Sequence, residues 1–301
     1  MKRSLAVGLS VVLGLGALAG PAFAHGLAGK RFFPSTLAID DPFVSDELTL
    51  PNILHIKRRA SGDESAAQET EFSGEYSKRI TPNFGFSLEG ALVHVDPQKG
   101  ESVSRFDNLE VGLKYQAFTS AEHEVIFSLG LSWEVGGTGG KAIGAESFDV
   151  VTPALFFGKG FGDLPDSLSA LKPLAVTGLV GLAIPTRAKN PNVVTWGFAI
   201  EYSLPYLTSY VRDPGLPEFF RRLIPLVEFE FQTPIDRGQG GLTTGTMNPG
   251  VIWAGRFFQV GVEAVVPINE RTGKNVGIRG MLHFFLDDLF PTSIGRPLFG
   301  R

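Results

Sequence analysis

Asn108-Leu109-Glu110-Val111-Gly112-Leu113-Lys114-Tyr115-Gln116 is the stretch that decides the fold class. Leu109, Val111, Leu113 and Tyr115 fall on one side. Asn108, Glu110, Gly112, Lys114 and Gln116 fall on the other. Side chains of a strand point alternately to its two faces, so a period of two predicts a strand with one apolar face. The pattern recurs in both directions. Phe84, Phe86 and Leu88 oppose Gly85, Ser87 and Glu89. Phe127, Leu129, Leu131 and Trp133 oppose Ser128, Gly130, Ser132 and Glu134. Trp196, Phe198 and Ile200 oppose Gly197, Ala199 and Glu201; Val227, Phe229 and Phe231 oppose Glu228 and Glu230; Val260 and Val262 oppose Gly261 and Glu263. Helical spacing is nearly absent.

Twelve strands are expected, over residues 51–59, 69–80, 84–95, 105–118, 123–135, 147–161, 171–184, 194–208, 222–233, 244–254, 257–267 and 275–286. Their number is even, and most reach the ~10 residues that a strand crossing a ~25 Å apolar band requires. Tight turns such as Thr81-Pro82-Asn83 and Gly255-Arg256 alternate with longer glycine-rich or charged loops, as in a barrel with short periplasmic turns and long outer loops. Residues 162–170 read as a short helix start with Asp163 as N-cap and Pro165 early. A soluble sandwich would show the same alternation, its apolar faces packed together. Strand length, the Gly and lone carboxylates on the polar faces, and aromatics near strand ends (Trp133, Trp196, Trp253) favour the membrane. The expected fold is all-β: a transmembrane antiparallel up-and-down β-barrel of about twelve strands.

The chain begins with Lys2 and Arg3, an apolar run from Leu5 to Ala19, and Ala22-Phe23-Ala24, which together read as a secretory signal peptide over residues 1–24. Cleavage there removes two cations and no acid, taking the formal net charge from −4 to −6. Residues 25–50 show no clean period and are expected to form a short N-terminal periplasmic arm or lumen plug. Residues 51–301 are expected to form the barrel. No apolar stretch in the remainder reaches the ~20 residues of a spanning helix, which leaves a soluble periplasmic protein or an outer-membrane barrel. With the bacterial look of the signal and the strand pattern, the expected place is the outer membrane of a Gram-negative bacterium.

The absence of Cys excludes disulfides, thiolate metal sites and a Cys nucleophile. Mixed charge argues against a nucleic-acid partner. No Gly-x-Ser-x-Gly elbow, P-loop or His-Glu-x-x-His is present, so no enzymatic activity is expected. The polar faces supply the lumen candidates: Glu71, Glu75, Glu89, Glu110, Glu134, Glu201, Glu228, Glu230 and Glu263, with Lys114 and Arg279 as bases. An acid-lined lumen favours passive passage of a small solute or ion, cations foremost. Charge pairs filling a structural barrel are the second reading, and Arg105 and Lys141 are loop bases with the reach to complete them. His25 would be the mature N-terminus, where amine and imidazole together chelate Cu(II); a soluble periplasmic copper-binding β-protein is thus a third reading. Otherwise no cofactor is expected.

Phe106-Asp107-Asn108-Leu109-Glu110-Val111-Gly112-Leu113-Lys114-Tyr115 resembles a strand of transporter-like outer-membrane barrels grouped under a phenol-degradation-pathway label. Asn248-Pro249-Gly250, the Gly255-Arg256 turn and Val260-Gly261-Val262-Glu263 are similar to that family as well. The resemblance implies a barrel set in outer-membrane lipid, with a transport role and an undefined substrate, and assigns no functional residue. One departure is the ending Pro297-Leu298-Phe299-Gly300-Arg301 in place of a strand closed by a terminal aromatic. The signal read by the barrel-assembly machinery is then expected internally, at Phe284 or Phe285.

Overall fold

The computed structural model describes residues 26–58 and 65–300. A two-residue hairpin, β1 (Leu27–Ala28) and β2 (Arg31–Phe32), opens the described chain. The wall follows: β3 (Glu47–Arg58), β4 (Ala67–Thr81), β5 (Phe84–Pro97), β6 (Val103–Phe106), β7 (Leu109–Ser120), β8 (Val125–Val135), β9 (Val150–Gly160), β10 (Leu174–Pro185), β11 (Val193–Tyr202), β12 (Leu223–Pro234), β13 (Thr244–Ala254), β14 (Phe258–Pro267) and β15 (Gly277–Phe285). Three helical pieces, α1 (Leu204–Tyr206), α2 (Glu218–Arg221) and α3 (Leu286–Leu289), sit at the end that carries the termini. Each wall strand pairs antiparallel with its neighbour in sequence, and β15 pairs with β3, which closes the sheet. β6 and β7 together make one wall strand, so the barrel has twelve.

Exposure separates membrane from sandwich. Leu129 is 49% exposed, Leu155 54% and Val260 45%, which no sandwich core allows. The apolar positions therefore face outward, and the polar positions face a lumen.

Several boundaries move, each for a local reason. The first strand starts at Glu47, not residue 51, and carries Pro51 through a register shift between Thr49 and Asn52. The fourth splits: Leu92 faces Phe106 but Glu89 faces Glu110, so one residue is extra near Asp107 and Asn108, a β-bulge. The eighth ends at Tyr202 instead of 208, because the Ser203 hydroxyl accepts from Tyr206 N–H (3.2 Å) and Pro205 sits in the first turn of α1. Asp163 does not cap a helix. The helical turn over Asp166–Leu171 begins after Pro165, and Asp163 pairs with Lys159 at 2.8 Å, which holds its carboxyl below the usual range.

The apolar core lies inside the barrel, toward the terminal end. Phe32 and Leu37 pack against Ile224, Leu226, Ile252, Ala254, Met281 and Phe285. Ala28, Phe33 and Phe43 pack against Ile126 and Ala175. The N-terminal segment thus supplies five of these thirteen core residues. Small wall residues make room for it: a Cβ on Gly261 would meet Leu37 at 2.7 Å, and one on Gly158 would meet Phe33 and Pro42 at 3.3 Å.

Candidate functional site

The lumen is the candidate site, and residues 31–46 shape it. Arg31, fully buried, anchors the entry: its Nε donates to Glu124 Oε2 (3.1 Å), its guanidinium donates to the carbonyls of Lys172 and Pro173, and it lies 3.8 Å from the centre of the Tyr206 ring. Tyr206 donates to the other Glu124 oxygen at 2.9 Å, and burial together with that carboxylate raises the phenol pKa.

Further in, one carboxylate holds three successive backbone amides. Glu228 accepts from Leu37 N–H (2.7 Å), Ala38 N–H (2.7 Å) and Ile39 N–H (3.1 Å). Asn52 and Gln259 donate to the Leu37 and Ser35 carbonyls, and Ser128 donates to that of Pro42. Lys114 binds Asp40 (2.7 Å) and the Asp41 carbonyl (2.8 Å). The segment leaves through Asp46, which takes Lys78 at 2.6 Å and Arg79 at 2.7 Å. Lys78 also donates to the carbonyls of Ile294 and Arg296, so the C-terminal tail is tied to the same node. Burial, then the nearby Glu47 charge, pushes the Asp41 carboxyl up to about 7, against the pull of Lys114.

Two chambers remain beside this segment. One, of about 290 Å³, is bounded by Asp40, Glu75, Glu89, Glu110, Lys114 and the Phe156 ring. The other, of about 410 Å³, is bounded by Asp40, Glu71, Glu75, Glu89, Glu230, Arg279 and His283. They meet at Asp40, Glu75 and Glu89. At ~30 Å³ per water, each has room for several.

The named residues divide by what they touch. Glu71, Glu75, Glu89, Glu110, Glu230, Lys114 and Arg279 border the chambers. Glu201, Glu228 and Glu263 are buried in the wall: Glu201 accepts from Thr177 (3.1 Å) and Glu263 from Arg279 (3.1 Å). Glu134 borders neither chamber; it accepts from Asn108, which also pins the loop after β8 through Gly139 N–H and the Glu146 carbonyl. Arg105 and Lys141 lie exposed and border neither chamber.

Sequence reasoning missed Asp40 and Asp41 as chamber groups, although the Asp-Asp run after Phe32-Phe33-Pro34 was the available signal. His283 stands on the polar face of its strand, but was not counted among the lumen groups. There Ser35 Oγ lies 3.2 Å and Glu47 3.5 Å from the same ring nitrogen, Nε2, while Thr49 takes Nδ1 at 2.8 Å. A catalytic serine would need the acid on the opposite nitrogen, so this cluster joins the segment to the wall. His25 lies outside the described residues. Among the described residues no group of three His, Asp or Glu is placed to hold a metal ion.

No family model matches the chain, and no curated protein matches it. Solved structures do. An outer membrane channel from Pseudomonas putida aligns at 11% identity and TM-score 0.51, over 84% of this chain and 99% of that one. KdgM porin aligns at 14% identity and TM-score 0.45, over 78% and 97%. LpxR from Salmonella typhimurium aligns at 13% identity and TM-score 0.41, over 78% and 99%. The likeness to the Pseudomonas channel is one of architecture, and it places this chain among closed antiparallel barrels of the outer-membrane kind.

Proposed function

We propose that this protein is an outer-membrane channel for passive passage of a small solute or ion, cations ahead of anions, through the space left beside its N-terminal segment. One observation carries the reading: the two chambers share Asp40, Glu75 and Glu89, and the carboxylates around them outnumber Lys114 and Arg279. A low-dielectric wall focuses that negative potential along the lumen. Residues 1–24 are the export signal in this reading, and the end that carries the termini faces the periplasm. Phe285, the last residue of β15, offers the assembly machinery its closing aromatic.

Planar-bilayer recording under a KCl gradient tests the proposal. A reversal potential of cation-selective sign is expected, with larger conductance once residues 26–44 are deleted. Silence from both proteins would sink it. A structural barrel with a filled lumen is the second reading, favoured by the three amides that Glu228 holds. It expects no flux, and Glu→Gln changes at the chambers that alter stability alone. The copper reading belongs to His25 and is tested by Cu(II) titration of the processed chain against a His25→Ala variant.

A further inference from the structure

The two halves of the excursion between β11 and β12 part company: α1 packs at the barrel entry, and α2 does not. Phe219 of α2 stacks on Trp253 (6.4 Å, 23°), and Trp253 meets Phe258 at 5.6 Å. Trp253 and Phe258 occupy outward positions, on the same face of the wall as Val260 and Val262. α2 therefore lies on the outside of the barrel, continuous with the apolar band, at the end that carries the termini, while α1 turns Tyr206 inward onto Arg31. The rings of α2 stay uncovered: Phe219 is 60% exposed and Phe220 49%. Aromatic rings with wet edges suit the boundary between acyl chains and headgroups.

The charge around these rings is one-sided. Arg221 pairs with Asp213 (2.9 Å) and Arg222 with Glu218 (2.7 Å), and Arg222 also lies over the Trp253 ring at 5.8 Å. Lys30, Arg212 and Arg256 have no acidic partner among the described residues. Lys30 lies over Tyr210 at 5.5 Å and Arg256 over Phe257 at 5.0 Å. Lys30 belongs with Arg31 and the Tyr206–Tyr210 pair at the entry, so on the outer surface four cations meet two acids and Arg212 and Arg256 are the uncompensated ones.

We infer that this aromatic and basic collar, centred on Phe219, Trp253, Arg212 and Arg256, is a docking surface for the headgroups of anionic phospholipid in the leaflet at the terminal end of the barrel. The inference rests on the membrane-spanning reading of the barrel. The rings set the depth, the guanidinium groups reach the phosphate level, and the uncompensated positive charge selects anionic over zwitterionic headgroups.

The chain has three Trp, so Trp133→Phe/Trp196→Phe leaves Trp253 as the single indole reporter. The full processed protein is reconstituted in bilayers, and brominated phosphatidylglycerol or brominated phosphatidylcholine is titrated in. Half-quenching of Trp253 is expected at a mole fraction of the anionic lipid lower by at least about fivefold, the factor that a single uncompensated cation near a charged surface supplies, the collar carrying two. Arg212→Gln/Arg256→Gln should merge the two curves, and inorganic phosphate should not displace the lipid. A companion protein retaining only Trp133, at the opposite end of the lipid-facing band, should quench equally with both lipids. Quenching of Trp133 without Trp253 overturns the collar alone; quenching of neither overturns the membrane reading with it. Equal curves for Trp253, a preference that survives the double variant, or displacement by phosphate also overturns the collar.

Discussion

Arg31 shows how a single side chain fixes the N-terminal segment. It is buried, it meets a carboxylate that is itself 5% exposed, and each of its nitrogens has an acceptor. Breaking such a pair leaves an uncompensated charge, at a cost of about 3–5 kcal/mol. Arg31→Ala should therefore lower the midpoint of thermal unfolding, read as loss of the compact unboiled band on a gel. Arg31→Met combined with Glu124→Gln should lose less than Arg31→Ala alone. Equal losses would place the effect in packing and not in charge. Asp41 adds a pH-dependent contribution. Its folded pKa, about 7, stands above its ordinary 3.8, so the folded protein holds this proton more tightly than the unfolded chain. The stabilisation is complete below pH ~4 and is lost as pH rises toward 7. Asp41→Asn should remove this share, so the gap in thermal midpoint between variant and wild type changes across pH 4–7 and is flat above it. The Asn side-chain carbonyl still accepts the Phe43 N–H that Asp41 takes at 2.8 Å, so the capping contact survives the test.

At the scale of elements, strands were legible where one face meets lipid and the other meets lumen. The stretch around Leu109–Tyr115 alternates because its outward residues must be apolar and its inward ones border the chamber, and its pairing with β5 and β8 follows that alternation. The bulge near Asp107 was not legible, because an extra residue leaves the local composition unchanged. What marks it is tertiary: Asn108 bonds Glu134, the Glu146 carbonyl and Gly139 N–H together. Asn108→Ala strands those partners, a cost of about 1–3 kcal/mol per buried group. It should show as faster amide exchange over residues 136–146, with little change in β12–β15. Uniformly faster exchange would make Asn108 a global rather than a loop contact. The reading of 194–208 as one strand failed for a local reason that was present in the sequence. Ser203 and Pro205 are a helix start, and apolar Leu204, Tyr206 and Leu207 hid it. Residues 26–46 were legible only as an arm or plug without a period, not in their contacts. They are ordered by the wall around them, through Glu228, Lys114 and Gln259, and carry no repeat of their own.

For the whole molecule, the question is what the residual lumen does to a charge. Eight wall or segment carboxylates would have to be balanced by two bases if Asp40, Asp41, Glu47, Glu71, Glu75, Glu89, Glu110 and Glu230 were all ionised. Lys114 is already committed to Asp40, at 2.7 Å, and Arg279 to Glu263, at 3.1 Å. The remaining negative potential must be met by mobile cations, by bound protons, or by both, and salt distinguishes them. Mobile counterions are screened over a Debye length of ~10 Å at 0.1 M and ~3 Å at 1 M. Cation preference, read as reversal potential at a fixed KCl ratio, should therefore shrink as the mean salt concentration rises. Protons held on the carboxyls would instead make the preference grow with pH. Glu89→Gln/Glu110→Gln removes charge where the first chamber is widest in acids, and should lower the cation-to-anion permeability ratio at 0.1 M while leaving the thermal midpoint nearly unchanged. Lys114→Met should act oppositely on the two readouts. It frees Asp40 and strengthens the negative potential, but it also releases a tie of the N-terminal segment, so permeability ratio and conductance rise while stability falls. A permeability ratio near one in every variant, with only the midpoint moving, would show that the carboxylates serve the packing of the segment and that the lumen passes nothing.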